Sequence, residues 1–222
     1  EVDAILAETS QRMTMICAAA ADPKISPYCD FDKDPAVVER LMFSNQKVAK
    51  FDDRKPEVLI ENLEDVPAYK KLKEKSRSPI GPDGKPVSKM KLFNLRDAMS
   101  EVIYDRFYED PTMIAYGEDC RDWGGAFAVY RGMMDALPHC RLFNSPLAEG
   151  AIVGTAVGYA LSGGRAMVEL MYADFIGCAG DEIFNQMAKW QSMSAGILKM
   201  PLVLRVSVGS KYGAQHSQDW TA

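Results

Sequence analysis

The chain has 222 residues, enough for one ordinary domain with extensions or for two small ones. Hydrophobic residues make up 47% and charged residues 26%, a globular composition, and the net charge of −5 leaves no electrostatic footprint for nucleic acid. Five cysteines, none in a C-x-x-C pair, and only two histidines, His139 and His216, argue against a zinc site or a disulfide framework and for a reducing, cytoplasmic setting.

The first element predicted is a helix, with Val2, Ile5, Leu6, Met13, Ile16, Cys17 and Ala20 at helical spacing until Asp22-Pro23 stops it. Its acidic start does not read as a signal peptide, and Ala151 to Leu161 is too short and glycine-rich to span a membrane. Asp34-Pro35 offers a cap and a first-turn proline for a short helix through Met42. From Phe51 to Lys91, prolines break every pattern and Lys and Glu crowd between them, as in a solvated linker or a wrapping arm.

Order returns at Asn94, where Leu95, Ala98, Met99, Val102, Ile103, Phe107 and Tyr108 predict an amphipathic helix ended by Asp110-Pro111. Strands are predicted at Met113–Tyr116, Arg141–Phe143, Ala166–Met171 and Leu202–Val206. Between them fall helices from Leu147 to Leu161, closed by Gly163-Gly164, and from Phe175 to Met193. Alternating strands and helices predict an α/β fold, a parallel sheet covered by helices on both faces, preceded by a helical and irregular N-terminal extension. Ligands of such sheets gather past the carboxyl ends of the strands. Glu118, the run from Asn144 to Glu149, Tyr172 to Phe175 and the residues from Ser207 onward all lie there.

Gly150, Gly154 and Gly158 form one smooth helical stripe, suited to tight packing against a neighbouring helix or a second copy. Glu149 opens that helix. It either complements the helix dipole or, among Leu147, Ala148, Ala151 and Ile152, is poorly hydrated, with a raised pKa suited to sharing a proton with a ligand nitrogen. His216, in the run Gly213 to Gln218, is an exposed loop histidine or a proton-transfer group. Glu118 is a turn acid or a ligand-facing one. Cys178, in an apolar helix, reads as core rather than nucleophile.

Several runs occur together and in order. They are Gly117-Glu118-Asp119 with Gly124-Gly125, Phe143 to Glu149, Glu169 to Phe175, Asp181 to Asn185, Ala188-Lys189, and His216-Ser217-Gln218. With them the chain, from about Leu92 to Ala222, resembles the first half of the β subunit of the E1 component of 2-oxo acid dehydrogenase complexes. The resemblance implies a thiamine-diphosphate pyrimidine-binding domain and oxidative decarboxylation of a branched-chain or pyruvate-type 2-oxo acid, with acyl transfer to a lipoyl-bearing E2 partner.

Residue by residue, Glu149 matches the glutamate that hydrogen-bonds the aminopyrimidine ring nitrogen and promotes loss of the thiazolium C2 proton. Glu118 and Leu147 match residues near the pyrimidine, and Phe175 an aromatic contacting it. His216 matches the histidine that assists acylation of the lipoyl group. The chain departs from the pattern at Met171, Tyr172 and Glu182. The Gly-Asp-Gly…Asn motif for diphosphate and Mg2+ belongs to the α subunit and is absent here, so an E1 α-type half is expected to bind the metal.

Residues 1–50 resemble the helical C-terminal tail of that α subunit, 51–91 would be a linker, and 92–222 an incomplete β subunit. A fused α–β chain that forms a homo-oligomer, with this stretch inactive alone, is the resulting expectation. A transketolase-like enzyme of the same fold and a non-catalytic assembly scaffold are the alternatives.

Overall fold

A computed structural model describes residues 2–25, 33–34, 36, 52–75, 82–85 and 94–208. Apart from residue 36, the expected short helix through Met42 lies outside the described residues, as does His216. The chain divides into two units, Glu1–Lys47 and Val48–Ala222.

In the first unit, helix α1 spans Val2–Ala21 and ends where Asp22-Pro23 was expected to end it. The Asp22 carboxylate accepts a hydrogen bond from the Lys24 amide at 2.8 Å, closing a turn just past the helix. None of its residues is buried.

The second unit is built on a parallel sheet of four strands, β1 (Met113–Gly117), β2 (Leu142–Asn144), β3 (Arg165–Leu170) and β4 (Leu202–Val206), in the order β2-β1-β3-β4. Helix α2 is Pro67–Glu74, α3 Leu95–Glu109, α4 Glu149–Leu161 and α5 Ala188–Met193.

Alternation along the strands sorts side chains to two cores. Met113 and Ala115 of β1 and Met167 of β3 meet Ile103, Tyr104 and Phe107 of α3 on one face. Tyr116, Ala166 and Val168 meet Ile152, Val153, Ala156 and Val157 of α4 on the other. Burying a side chain such as Phe107 contributes about 1.5–3 kcal/mol. The helices thus cover both faces, as the α/β alternation in sequence implies.

Local chemistry sets the element ends. The Asn94 side chain caps α3 by accepting from the Asp97 amide at 2.8 Å. Tyr116 stacks on Phe143 with centroids 4.6 Å apart, and its hydroxyl lies 2.7 Å from the Thr155 hydroxyl, tying the sheet to α4.

Two local expectations change. The long helix expected over Phe175 to Met193 is instead a 3-10 segment (Ala173–Ala179), a π segment (Glu182–Met187) and α5. Gly177 and Gly180 weaken the helix where it breaks, and the Asp181 carboxylate accepts from Asn185 at 2.7 Å and Gln186 at 3.0 Å in the wider turn. The apolar face survives, with Ala179 buried and Ile176, Ile183 and Met187 packed beside it. Cys178, expected in the core, is exposed because it points away from that face.

The stretch read as a linker or wrapping arm packs onto the domain over its described part. Val66 and Tyr69 are buried in the α3-side core, Tyr108 donates to the Ile60 carbonyl at 2.7 Å, and the Leu59 amide donates to Ala136 at 2.8 Å. Its Lys- and Glu-rich composition reflects the outer face of that arm.

Candidate functional site

The carboxyl ends of the strands carry a common signature. Glu118 follows β1, Ser145 follows β2 and Asp174 follows β3 by a few residues. Each has a buried side-chain oxygen with no hydrogen-bond partner among the described residues: Glu118 Oε1, Ser145 Oγ and Asp174 Oδ1. A buried polar atom left unpaired costs about 1–3 kcal/mol, so three at the ends of adjacent strands mark a place shaped for a ligand.

Beside Glu118 opens a cleft of about 240 Å3, with Trp123, Ala126, Phe127, Met171, Tyr172 and Ser207 among its walls. Trp123 is 72% exposed and Phe127 55%, leaving two aromatic faces available to a planar partner. The loop that carries them is conformationally strained. Asp119, Phe127 and Ala128 hold φ of +54°, +57° and +56° without being glycine. Such strain concentrates at functional sites.

A buried ion pair supports this loop. Gly117, Glu169 and Arg205 are register partners across β1, β3 and β4. The Glu169 carboxylate, 1% exposed, takes a hydrogen bond from the Ala126 amide at 2.5 Å and pairs with the Arg205 guanidinium. Arg205 also donates to the Ala126 carbonyl at 2.7 Å and lies over the Tyr130 ring at 5.5 Å. Gly125 is required here: at φ +67° and ψ −173° only glycine fits, and a Cβ would stand 2.8 Å from Glu169 Oε2.

Of the residues singled out in the sequence, Glu118 is buried at the cleft and Glu149 is the first residue of α4, half-buried. Burial pushes the Glu118 pKa up, and the negative charges of Glu149, Asp119 and Glu169 push it the same way. The two expected carboxylates therefore lie within electrostatic reach of each other. Phe175 is half-buried and meets Tyr172 edge-on, with ring centroids 6.5 Å apart. Leu147 is 82% exposed. Neither Glu149, Leu147 nor Phe175 lines the cleft itself.

The sequence reading assigned no role to Ser145, Asp174, Glu169 or Arg205. The first three stand inside the motif runs Phe143 to Glu149 and Glu169 to Phe175. The pairing of Glu169 with Arg205 depends on strand register, which has no local signal across a crossover.

The raised pKa of Glu118 has a testable sign. Its native pKa exceeds the unfolded one, so the native state holds the proton more tightly. Its stabilising contribution is present below the unfolded carboxylate range and is lost as pH rises through the native value. Glu118→Gln should therefore raise stability at pH 7 by on the order of 1 kcal/mol, and by nothing near pH 3.5. Urea unfolding at the two pH values checks this, and equal shifts at both would contradict it.

Residues 91–222 match the family described as the transketolase, pyrimidine binding domain, and the chain belongs to that family. Among curated proteins it is similar to the β subunit of acetoin:2,6-dichlorophenolindophenol oxidoreductase of Cupriavidus necator, with 39% identity over 56% of this chain and 40% of that protein. It is 38% identical to the pyruvate dehydrogenase E1 component subunit beta of Leifsonia xyli, over 50% of this chain and 33% of that one. The 3-methyl-2-oxobutanoate dehydrogenase subunit beta of Mycobacterium tuberculosis is 35% identical over 56% and 36%. The chain thus spans between a third and two-fifths of the length of these relatives.

Proposed function

We propose that this chain supplies the aminopyrimidine side of a thiamine-diphosphate site in the E1 component of a 2-oxo acid dehydrogenase. The observation that carries the reading is the set of buried oxygens on Glu118, Ser145 and Asp174, at the ends of three adjacent strands, that have no partner among the described residues. An aminopyrimidine offers an exocyclic amine, ring nitrogens and a flat apolar face. The carboxylates of Glu118 and Glu149 suit the first two, and the aromatic walls of Trp123, Phe127 and Tyr172 suit the third. The residues present fit the group.

When bound, thiamine diphosphate supplies an electron sink for breaking the bond beside a 2-oxo group. The chain's residues do the rest on this side. Glu149 would hold the proton at the ring nitrogen, with Glu118 beside it as the acid whose raised pKa keeps a proton nearby. Phe175 would contact the ring through the wall it shares with Tyr172. Leu147, at the foot of α4, would bear on the same ring, and His216 would assist acyl transfer to the lipoyl group of an E2 partner. Diphosphate and Mg2+ would fall to an E1 α-type half, and the β-like domain would work as part of a larger oligomer.

The test uses the protein assembled with its diphosphate-binding half, thiamine diphosphate, Mg2+ and dichlorophenolindophenol as electron acceptor. Pyruvate or 3-methyl-2-oxobutanoate is expected to reduce the dye. Ketol transfer from sugar phosphates in place of this would indicate the transketolase-like alternative. No turnover of any donor would indicate the scaffold.

A further inference from the structure

We propose that the cavity between α2, the first turn of α3 and the 128–135 loop binds a small phosphomonoester. The cavity holds about 310 Å3 and lies apart from the residues lining the Glu118 cleft. That is the lower end of the size range of small-molecule sites.

Its lining includes Lys71, Lys75, Arg96 and Arg131 against Asp97 and Asp135. Among the described residues, four cations against two carboxylates leave a local charge of +2 on a chain whose net charge is −5. A concave wall of one sign concentrates counter-ions of the other. A phosphomonoester carries about −1.5 to −2 at neutral pH, which matches the surplus.

Two of the cations are held in place by a shared carboxylate. Asp97, 5% exposed, is salt-bridged to the Arg96 guanidinium and lies 3.7 Å from Lys75 Nζ. One buried carboxylate thus orients two cations at the rim. Lys71 and Arg131 are exposed at the cavity and have no ion-pair partner among the described residues. Arg131 offers a planar fork for phosphate oxygens, and Lys71 a point charge. The wall is also pre-formed: a Cβ on Gly132 would stand 2.6 Å from Ala68 Cβ, so the loop is pressed onto α2.

The position gives the site a consequence. Gly125, Ala126 and Phe127 line the Glu118 cleft, while Ala128, Arg131 and Gly132 line this cavity. A Cβ on Gly124 would lie 2.7 Å from the Arg131 amide nitrogen, so the two ends of the loop are in direct contact. An anion held by Arg131 therefore bears on the loop that carries Trp123.

Calorimetric titration of the chain with glycerol 3-phosphate, at fixed ionic strength, tests the site. One saturable site with a dissociation constant of about 1 mM or tighter is expected. Lys71→Gln with Arg131→Gln should weaken it at least tenfold at an unchanged unfolding midpoint. Asp135→Asn, which removes a competing charge, should tighten it several-fold, a gain that misfolding cannot imitate. No saturable binding, or equal binding by parent and both variants, would overturn the proposal. Tighter binding of a phosphoserine peptide than of the ester would overturn its small-molecule assignment.

Discussion

On the proposed function, replacing Glu149 by Gln should lower kcat for 2-oxo acid decarboxylation by about 100- to 10,000-fold in the assembled enzyme, the range lost when a positioned acid–base group is removed. The change keeps shape and hydrogen-bonding length but removes the ability to take and release a proton. Glu149 is half-buried at the first residue of α4, so the neutral amide should leave the fold intact. Steady-state dye reduction measures the loss, and thermal unfolding confirms that the variant is folded. A loss under tenfold would remove Glu149 from its proposed role. A companion readout is the pH dependence: if Glu118 serves as the neighbouring acid, Glu118→Gln should alter the profile of kcat with pH rather than only its height.

The second large effect is structural. Arg205→Met should destabilise the domain by about 3–5 kcal/mol, because it leaves Glu169 charged, buried and without its cation. Since total stabilities are about 5–15 kcal/mol, this is a large fraction. Burial already pushes the Glu169 pKa up against the opposing pull of Arg205. Without the guanidinium it rises further, so the native state of the variant holds its proton more tightly than the unfolded chain. The variant's stability should then be better at low pH and be lost as pH rises through the native value. Denaturant midpoints of parent and variant at pH 5 and pH 8 give the comparison. Adding Glu169→Gln to Arg205→Met should recover part of the loss by removing the buried charge. A single-variant loss under 1 kcal/mol, or no recovery in the double variant, would show that the pair does not support the loop.

Much of the fold is legible in the sequence, for physical reasons that differ between elements. The strand β4 lies at Leu202–Val206 as the sequence predicts, because four aliphatic residues around Arg205, bounded by Pro201 and Ser207, favour an extended strand. Helix α3 ends one residue before Asp110-Pro111, where proline chemistry requires it. The 173–193 stretch failed as one helix because periodicity reports which face is apolar, not whether the turns are 3-10, α or π. The packing of Val66 and Tyr69 was hidden by their charged neighbours.

At the cleft, Glu118 is visible in the sequence as an acid past a strand end, while the ion pair that holds the neighbouring loop is not. Glu169 and Arg205 are 36 positions apart and meet only through parallel register. The strain at Phe127 and Ala128 is likewise invisible, since neither residue type announces a left-handed backbone.

The register that joins Gly117, Glu169 and Arg205 also constrains the order in which the domain can assemble. Each neighbouring pair of parallel strands is joined through a long crossover, so their contacts are non-local and the loop-closure cost comes before the pairing that repays it. Arg205 sits on β4, which follows β3 in the sequence and pairs with it in parallel. Until that strand docks, Glu169 has no cation and Ala126 loses the acceptor-side anchor of its loop. The cleft, whose wall includes Ser207 just past β4, is complete only once that strand has docked. During synthesis, the β1–β3 core would exist for a time with its ligand-facing loop unpinned, its charged floor unpaired and an open strand edge available for misassociation.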